Sequence, residues 1–135
     1  MSIKVTSASL RVFTEEMNLD FVSMAFNATP SVQHLKGEHR SKRNPKSSVF
    51  EKSIWIYRSP LADSVELNEH LICLLELLES KHEAIDAIRS RIDLVDIFCM
   101  FSSESGQGCA ELDANLLKRL ANQRIDLLID LYPPN

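Results

Sequence analysis

A chain of 135 residues and 15.3 kDa is the size of a single domain. Roughly two-thirds of the extended surface is buried on folding at that mass, enough for a core without disulfide or metal staples. With 44% hydrophobic and 25% charged residues, net charge −4 and pI near 5.5, the composition excludes wholesale disorder and argues against a generally basic nucleic-acid binder.

Ser9-Leu10-Arg11-Val12-Phe13 alternates apolar and polar, the pattern of a strand with one covered face, and the strand is expected to begin near Lys4. Asn18 to Asn27 reads as a short helix with Leu19, Val22 and Phe26 on one side, ended by Thr29-Pro30. Ser31 to Ser48 is poor in apolar residues. Lys36, Arg40, Lys42, Arg43 and Lys46 face one acid there, Glu38, so the segment carries +4 and the rest of the chain −8. The expectation is an exposed, mobile basic loop within one domain spanning 1–135.

Phe50 to Arg58 is the second strand, where Ile54 and Ile56 alternate with Trp55 and Tyr57 and both faces carry apolar bulk. Asp63 or Ser64 is placed to cap the next helix, and Asp63-x-x-Glu66 has capping-box spacing. Leu67, Leu71, Leu74 and Leu78 make its inner stripe. Ser80-Lys81-His82-Glu83 repeats the box, so either a second helix follows to about Arg91 or one long helix kinks. Val95 to Phe101 is the third strand. Ser102 to Gly108 is a turn-rich loop. Asp113 can cap the last helix, with Leu116, Leu117 and Leu120 inward. Ile125 to Tyr132 is the fourth strand, stopped by Pro133-Pro134.

Strands and helices alternate, as in a doubly wound parallel sheet. The last strand argues otherwise. Ile125, Leu127, Ile129 and Leu131 line one face while Asp126 and Asp130 sit on the other, whereas a strand between two helix layers is apolar on both. The predicted fold is therefore an α+β two-layer sandwich. It has one mainly four-stranded mixed sheet with about three helices on one face, and the other face is partly open.

The opening residues lack the apolar core and cleavage site of a secretory signal. The longest apolar run, Leu71 to Leu75, stops at Glu76, far short of the about 20 residues that span a bilayer. Cys73, Cys99 and Cys109 are odd in number, widely spaced and without a CxxC, which reads as reduced thiols of a cytoplasmic protein with no membrane contact.

Several stretches are familiar in this order. Leu10-Arg11-Val12-Phe13 comes first, then Lys36-Gly37-Glu38 after Thr29-Pro30, Trp55 in mid-strand, and Glu69-His70-Leu71 before Leu74-Leu75. Asp96-Ile97-Phe98-Cys99 leads into Ser103 to Gly108, followed by Leu116 to Ala121, Ile125-Asp126-Leu127 and Asp130-Leu131-Tyr132. Over nearly the whole chain this resembles the bacterial domain-of-unknown-function family 4279. One departure is Gly108-Cys109, where such proteins often show two consecutive glycines. The resemblance implies a small cytoplasmic bacterial α+β domain. It supplies no catalytic residues, because that family has no settled activity. Some small proteins of this general kind sit beside toxin genes as immunity proteins.

The candidate sites follow from chemistry. Lys36, Arg40, Lys42 and Arg43, with His39 and Lys46, can meet phosphates or an acidic protein, yet no aromatic residue lies between Ser31 and Ser48 for bases to stack on. Gly106 and Gly108 can present backbone N–H groups to an anion, though Glu104 and Glu111 flank them and the third glycine of a dinucleotide loop is missing. Cys109 is the one thiol near a helix start, with no base close in sequence. Neither His34 with His39 nor Glu66 with His70 completes a metal site, and Glu66 with His70 reads as a helix-surface pair. No cofactor is implied.

Trp55 and Tyr57 share a strand face and either complete the core or anchor an interface; Asp126 and Asp130 add acidic specificity. The leading expectation is a non-enzymatic domain that binds another protein, in its most concrete form a toxin that it neutralises. The alternatives are a small-ligand or enzymatic site at Ser105 to Cys109 and, more weakly, nucleic-acid binding through the basic loop. A homodimer through a strand edge or the Trp55 face is open on sequence grounds.

Overall fold

The structure, a computed structural model, describes residues 4–103 and 109–132. Its centre is β1 (Lys4–Thr14), whose even-numbered side chains Thr6, Ala8, Leu10, Val12 and Thr14 are all buried. Alternation over eleven residues gives β1 two distinct faces, and the buried one sets the sheet's covered side.

On one flank β3 (Ser53–Arg58) pairs antiparallel with β1, Val12 opposite Trp55; beyond it lies the short β2 (Val32–His34). On the other flank β4 (Leu94–Ser103) pairs antiparallel with β1, Val12 opposite Val95. Beyond β4 lies β5 (Asp126–Tyr132), parallel to it. The order is β2-β3-β1-β4-β5. The architecture is α+β as expected, with five strands instead of four and four helices instead of about three among the described residues.

The extra strand, β2, lies inside the segment read as a loop. Three residues, two of them exposed, carry too little alternation to announce a strand. Residues 37–50 then fold back on themselves. Gly37 N–H donates to the Phe50 carbonyl (2.9 Å), Arg40 N–H to Ser48 (2.8 Å), and His39 bridges Val49. Gly37 takes φ +90°, a conformation costly for any side chain.

The helices are α1 (Asp20–Phe26), α2 (Leu67–Ser80), α3 (His82–Ile88), which ends in a 3₁₀ turn at Arg89–Arg91, and α4 (Ala114–Asn122). Of the two readings left open after Ser80, the structure has two helices separated at Lys81. All four helices lie on the side of β1 that carries Leu10 and Val12. Leu67, Leu71, Leu74, Leu75 and Leu78 of α2 join Phe26, Trp55, Ile85, Ile97, Leu116 and Leu120 in one core. The single parallel pair among the described residues, β4–β5, is connected through α4, as a parallel connection requires.

Two expectations at helix ends are corrected. Neither Asp63 nor Ser64 caps α2; Glu66 occupies the cap position without a side-chain bond. Asp63 is drawn to Arg58 (2.6 Å), and its carbonyl and that of Val65 accept from Thr6, so the preceding turn is committed to β1. Asp113 does cap α4, its Oδ1 accepting from Leu116 N–H at 2.8 Å. Leu117, expected inward, is 48% exposed, because it lies one residue round from the Leu116–Leu120 stripe.

Candidate functional site

The odd-numbered side of β1 has no helix over it among the described residues. The register places side by side on this face Val32 and His34 of β2; Ile54 and Ile56 of β3; Arg11 and Phe13 of β1; Leu94, Asp96, Phe98 and Met100 of β4; and Asp126, Leu128, Asp130 and Tyr132 of β5.

At its centre Arg11 and Asp96 stand directly opposite each other. The guanidinium grips the carboxylate with two bonds, Nε to Oδ1 at 2.8 Å and Nη2 to Oδ2 at 2.7 Å. It also lies over Phe98 (4.7 Å) and Phe13 (5.1 Å). Arg11 is thus a lid on its own partner: the Asp96 side chain is 1% exposed, that of Arg11 22%. Bidentate geometry and two ring faces hold the charge in place without a helix. Around it lies an apolar collar. Leu94, Val32, Leu128 and Tyr132 are well exposed, and Phe13, Ile54, Ile56, Phe98 and Met100 are half-buried. The arrangement offers a partner apolar area to cover and one fixed, partly accessible guanidinium to hydrogen-bond.

Asp126 and Asp130 lie on this face, as the alternation of the last strand predicts, Asp126 exposed and Asp130 half-buried. A hydrogen bond to Asp130 and the nearby negative charge push the Tyr132 phenol up from its ordinary pKa. Trp55 and Tyr57 lie on the opposite, helix side, so of the two roles left open for them the structure gives the core. Trp55 is fully buried and stacked on Phe26 (5.0 Å), its indole N–H donating to Ser23 Oγ at 2.9 Å.

The basic segment is exposed but partly engaged. Lys36 pairs with Glu15 at 2.6 Å, and Arg40 lies over the Phe50 ring at 4.6 Å, where His34 also stacks. His39 Nδ1 is 2.8 Å from the Ser47 carbonyl. Lys42 and Arg43 are exposed with no ion pair among the described residues. The segment and the β5 carboxylates stand at opposite ends of the sheet, so the structure does not gather the predicted charged residues into one site.

Gly106 and Gly108 lie outside the described residues. Cys109 is exposed. Cys99 is deep in the core, where burial, with Asp96 nearby, pushes its thiol up to about 12, far from a reactive thiolate. Among the described residues no group of three or more His, Cys, Asp or Glu side chains is placed to hold a metal ion.

Two arrangements escaped the sequence reading. One is the Arg11–Asp96 pair, since cross-strand register is not written in either strand. The other is His70, which is buried instead of lying on the helix surface beside Glu66. Its Nδ1 is 2.8 Å from Ser59 Oγ, Nε2 has no hydrogen-bond partner among the described residues, and burial lowers its pKa from 6.5. The available signal was its position within the Leu67–Leu71–Leu74 stripe, three residues after Leu67.

No curated protein and no solved structure matches the chain. A family model does match, over residues 3–134, and it is the family that the order of the motifs resembles. The chain therefore belongs to the family described as Domain of unknown function (DUF4279).

Proposed function

We propose that this is a non-enzymatic protein-binding domain of the bacterial cytoplasm that docks a partner on the uncovered face of its sheet. The observation that carries the reading is the apolar collar around the Arg11–Asp96 pair, with no helix above it among the described residues. An exposed apolar patch with a central arginine and a flanking tyrosine has the make-up of an interface. The three cysteines are free, and no described helix is long and apolar enough to cross a membrane, which supports a reducing, aqueous setting.

The most concrete form of the proposal is toxin neutralisation. The partner is a basic protein, drawn in by the net charge of −4 and by Asp126 and Asp130, and its active site is occluded by the sheet. The test is co-purification with the product of the adjacent gene, followed by gel filtration of the mixture. A complex that forms with the native chain and is lost with Phe98→Ser supports the proposal. No complex, or one indifferent to Phe98→Ser and to Leu94→Ser, overturns it.

A further inference from the structure

We propose that the outer edge of β5 pairs antiparallel with the β5 of a second copy, about a two-fold axis through Ile129. This inference concerns a strand edge and stands whether or not the sheet face docks a partner. The inner edge of β5 is satisfied by seven consecutive parallel pairs with β4, from Asp96–Asp126 to Ser102–Tyr132. Nothing among the described residues pairs with its outer edge. Alternate N–H and C=O groups along it are left to solvent, a template for another strand.

The opposite edge of the sheet is protected. β2 has only three residues, and a lysine-bearing segment follows it, the two usual means of blunting an edge. β5 has neither. It runs for seven residues, Asp126-Leu127-Leu128-Ile129-Asp130-Leu131-Tyr132, without lysine, proline or a break in register.

The side chains say from which direction cover comes. Leu128, Ile129, Leu131 and Tyr132 are 43–70% exposed. Leu128 and Tyr132 belong to the uncovered face, Ile129 and Leu131 to the helix side. A molecule lying on the uncovered face leaves Ile129 and Leu131 in water. A strand added at the edge reaches both sets at once.

Self-complementarity selects a second copy. A two-fold axis perpendicular to the sheet keeps like faces together, so odd positions meet odd and even meet even. Centred on Ile129, all seven residues pair: Asp126 meets Tyr132, Leu127 meets Leu131, Leu128 meets Asp130, and Ile129 meets itself. Leu127, Ile129 and Leu131 of both copies then form one apolar row on the helix side. No carboxylate stands directly opposite another; they approach only on the diagonal, about 7–8 Å. Centring on Leu128 sets Asp126 against Asp130 twice, and centring on Asp130 sets it against its own copy. Centring on Leu127 leaves the outer half of the strand unpaired. The product is a continuous ten-stranded sheet with one uninterrupted uncovered face.

Light scattering of the whole chain over a range of micromolar concentrations is expected to give twice the 15.3 kDa chain mass, falling to one chain on dilution. Ile129→Lys, which sets two ammonium groups on the axis, is expected to halve the mass with circular dichroism and melting unchanged. Phe98→Ser, on the open face, is expected to leave the dimer intact. In a Cys73→Ser, Cys109→Ser background, Ile129→Cys should cross-link two chains under mild oxidant and Leu128→Cys should not, a readout that holds even if the lysine variant folds poorly. A monomer at every concentration overturns the proposal, as does a dimer that survives Ile129→Lys, one dissolved by Phe98→Ser, or cross-linking through Leu128→Cys in place of Ile129→Cys.

Discussion

The two sides of β1 are made from the same eleven residues, yet they are buried by different means. Thr6, Ala8, Leu10, Val12 and Thr14 lie under four helices. Ser7, Ser9, Arg11 and Phe13 have no helix above them among the described residues and are half-buried by the sheet's own side chains, above all by the Arg11 guanidinium lying across Phe13 and Phe98. On the first side the apolar surface has already left water, and its contribution belongs to folding. On the second, apolar area is still wet, worth about 25 cal/mol per Å² to whatever covers it. A substitution on the covered side should therefore read out as stability, and one on the uncovered side as binding.

The largest effect expected is at Trp55. Trp55→Ala removes a fully buried ring, its stacking on Phe26 and its bond to Ser23, and should cost about 3–5 kcal/mol in urea unfolding followed by circular dichroism. A cost near that of a surface substitution would mean that this side is not the core.

Asp96 crosses the division, being a buried charge on the uncovered side. Asp96→Ala strands the Arg11 guanidinium and should cost about 2–3 kcal/mol, less than a fully buried pair because Arg11 keeps some contact with water. The double variant Arg11→Met, Asp96→Leu should recover most of that loss, since no orphaned charge is left and Phe13 and Phe98 gain an apolar neighbour. A double variant no more stable than Asp96→Ala would show that the ion pair stabilises the sheet beyond what apolar packing replaces.

The covered side also carries a pH dependence. Burial lowers the pKa of His70 from 6.5, so as pH falls below 6.5 the unfolded chain takes up a proton that the folded chain refuses. Its contribution is fully present above 6.5 and is lost as pH falls from there to the depressed folded value. The slope is at most one proton, about 1.4 kcal/mol per pH unit. His70→Leu, which continues the Leu67–Leu71–Leu74 stripe, should flatten stability through this window. Below about 4.5 a separate, smaller loss is expected, because hydrogen bonding to Arg119 lowers the Glu79 pKa; that pair is largely exposed and screened by salt. An unchanged slope near 6.5 in His70→Leu would assign the dependence to another group.

How much of this division was legible varies with length and with range. β1, β4 and β5 run for seven or more residues, so their period of two shows, and Asp126 with Asp130 marked the uncovered side before any coordinates. β2 is too short to have a period. Ile54 and Ile56 made the Phe50–Arg58 strand look apolar on both faces, because a sequence window cannot tell a face under helices from one left open. Arg11 and Asp96 are separated by 85 residues, and only register brings them together. Leu117 shows the limit on helices: with nine residues in α4, one apolar position beside the stripe is indistinguishable from a member of it.

The smallest stability effect is expected at Leu94, and it tests the division most sharply. Leu94 is 39% exposed at the start of β4, opposite Phe13 on the uncovered side. Leu94→Ser removes apolar area that folding has only partly withdrawn from water, so unfolding free energy should change by no more than about 0.5 kcal/mol. Binding of the proposed partner should weaken roughly tenfold or more, because truncating an interface side chain commonly costs above 1 kcal/mol only where the contact is desolvated in the complex. Thermal melting and titration against the same partner separate the two quantities. A large fall in melting temperature would place Leu94 in the core, and unchanged affinity would put the partner on some other surface.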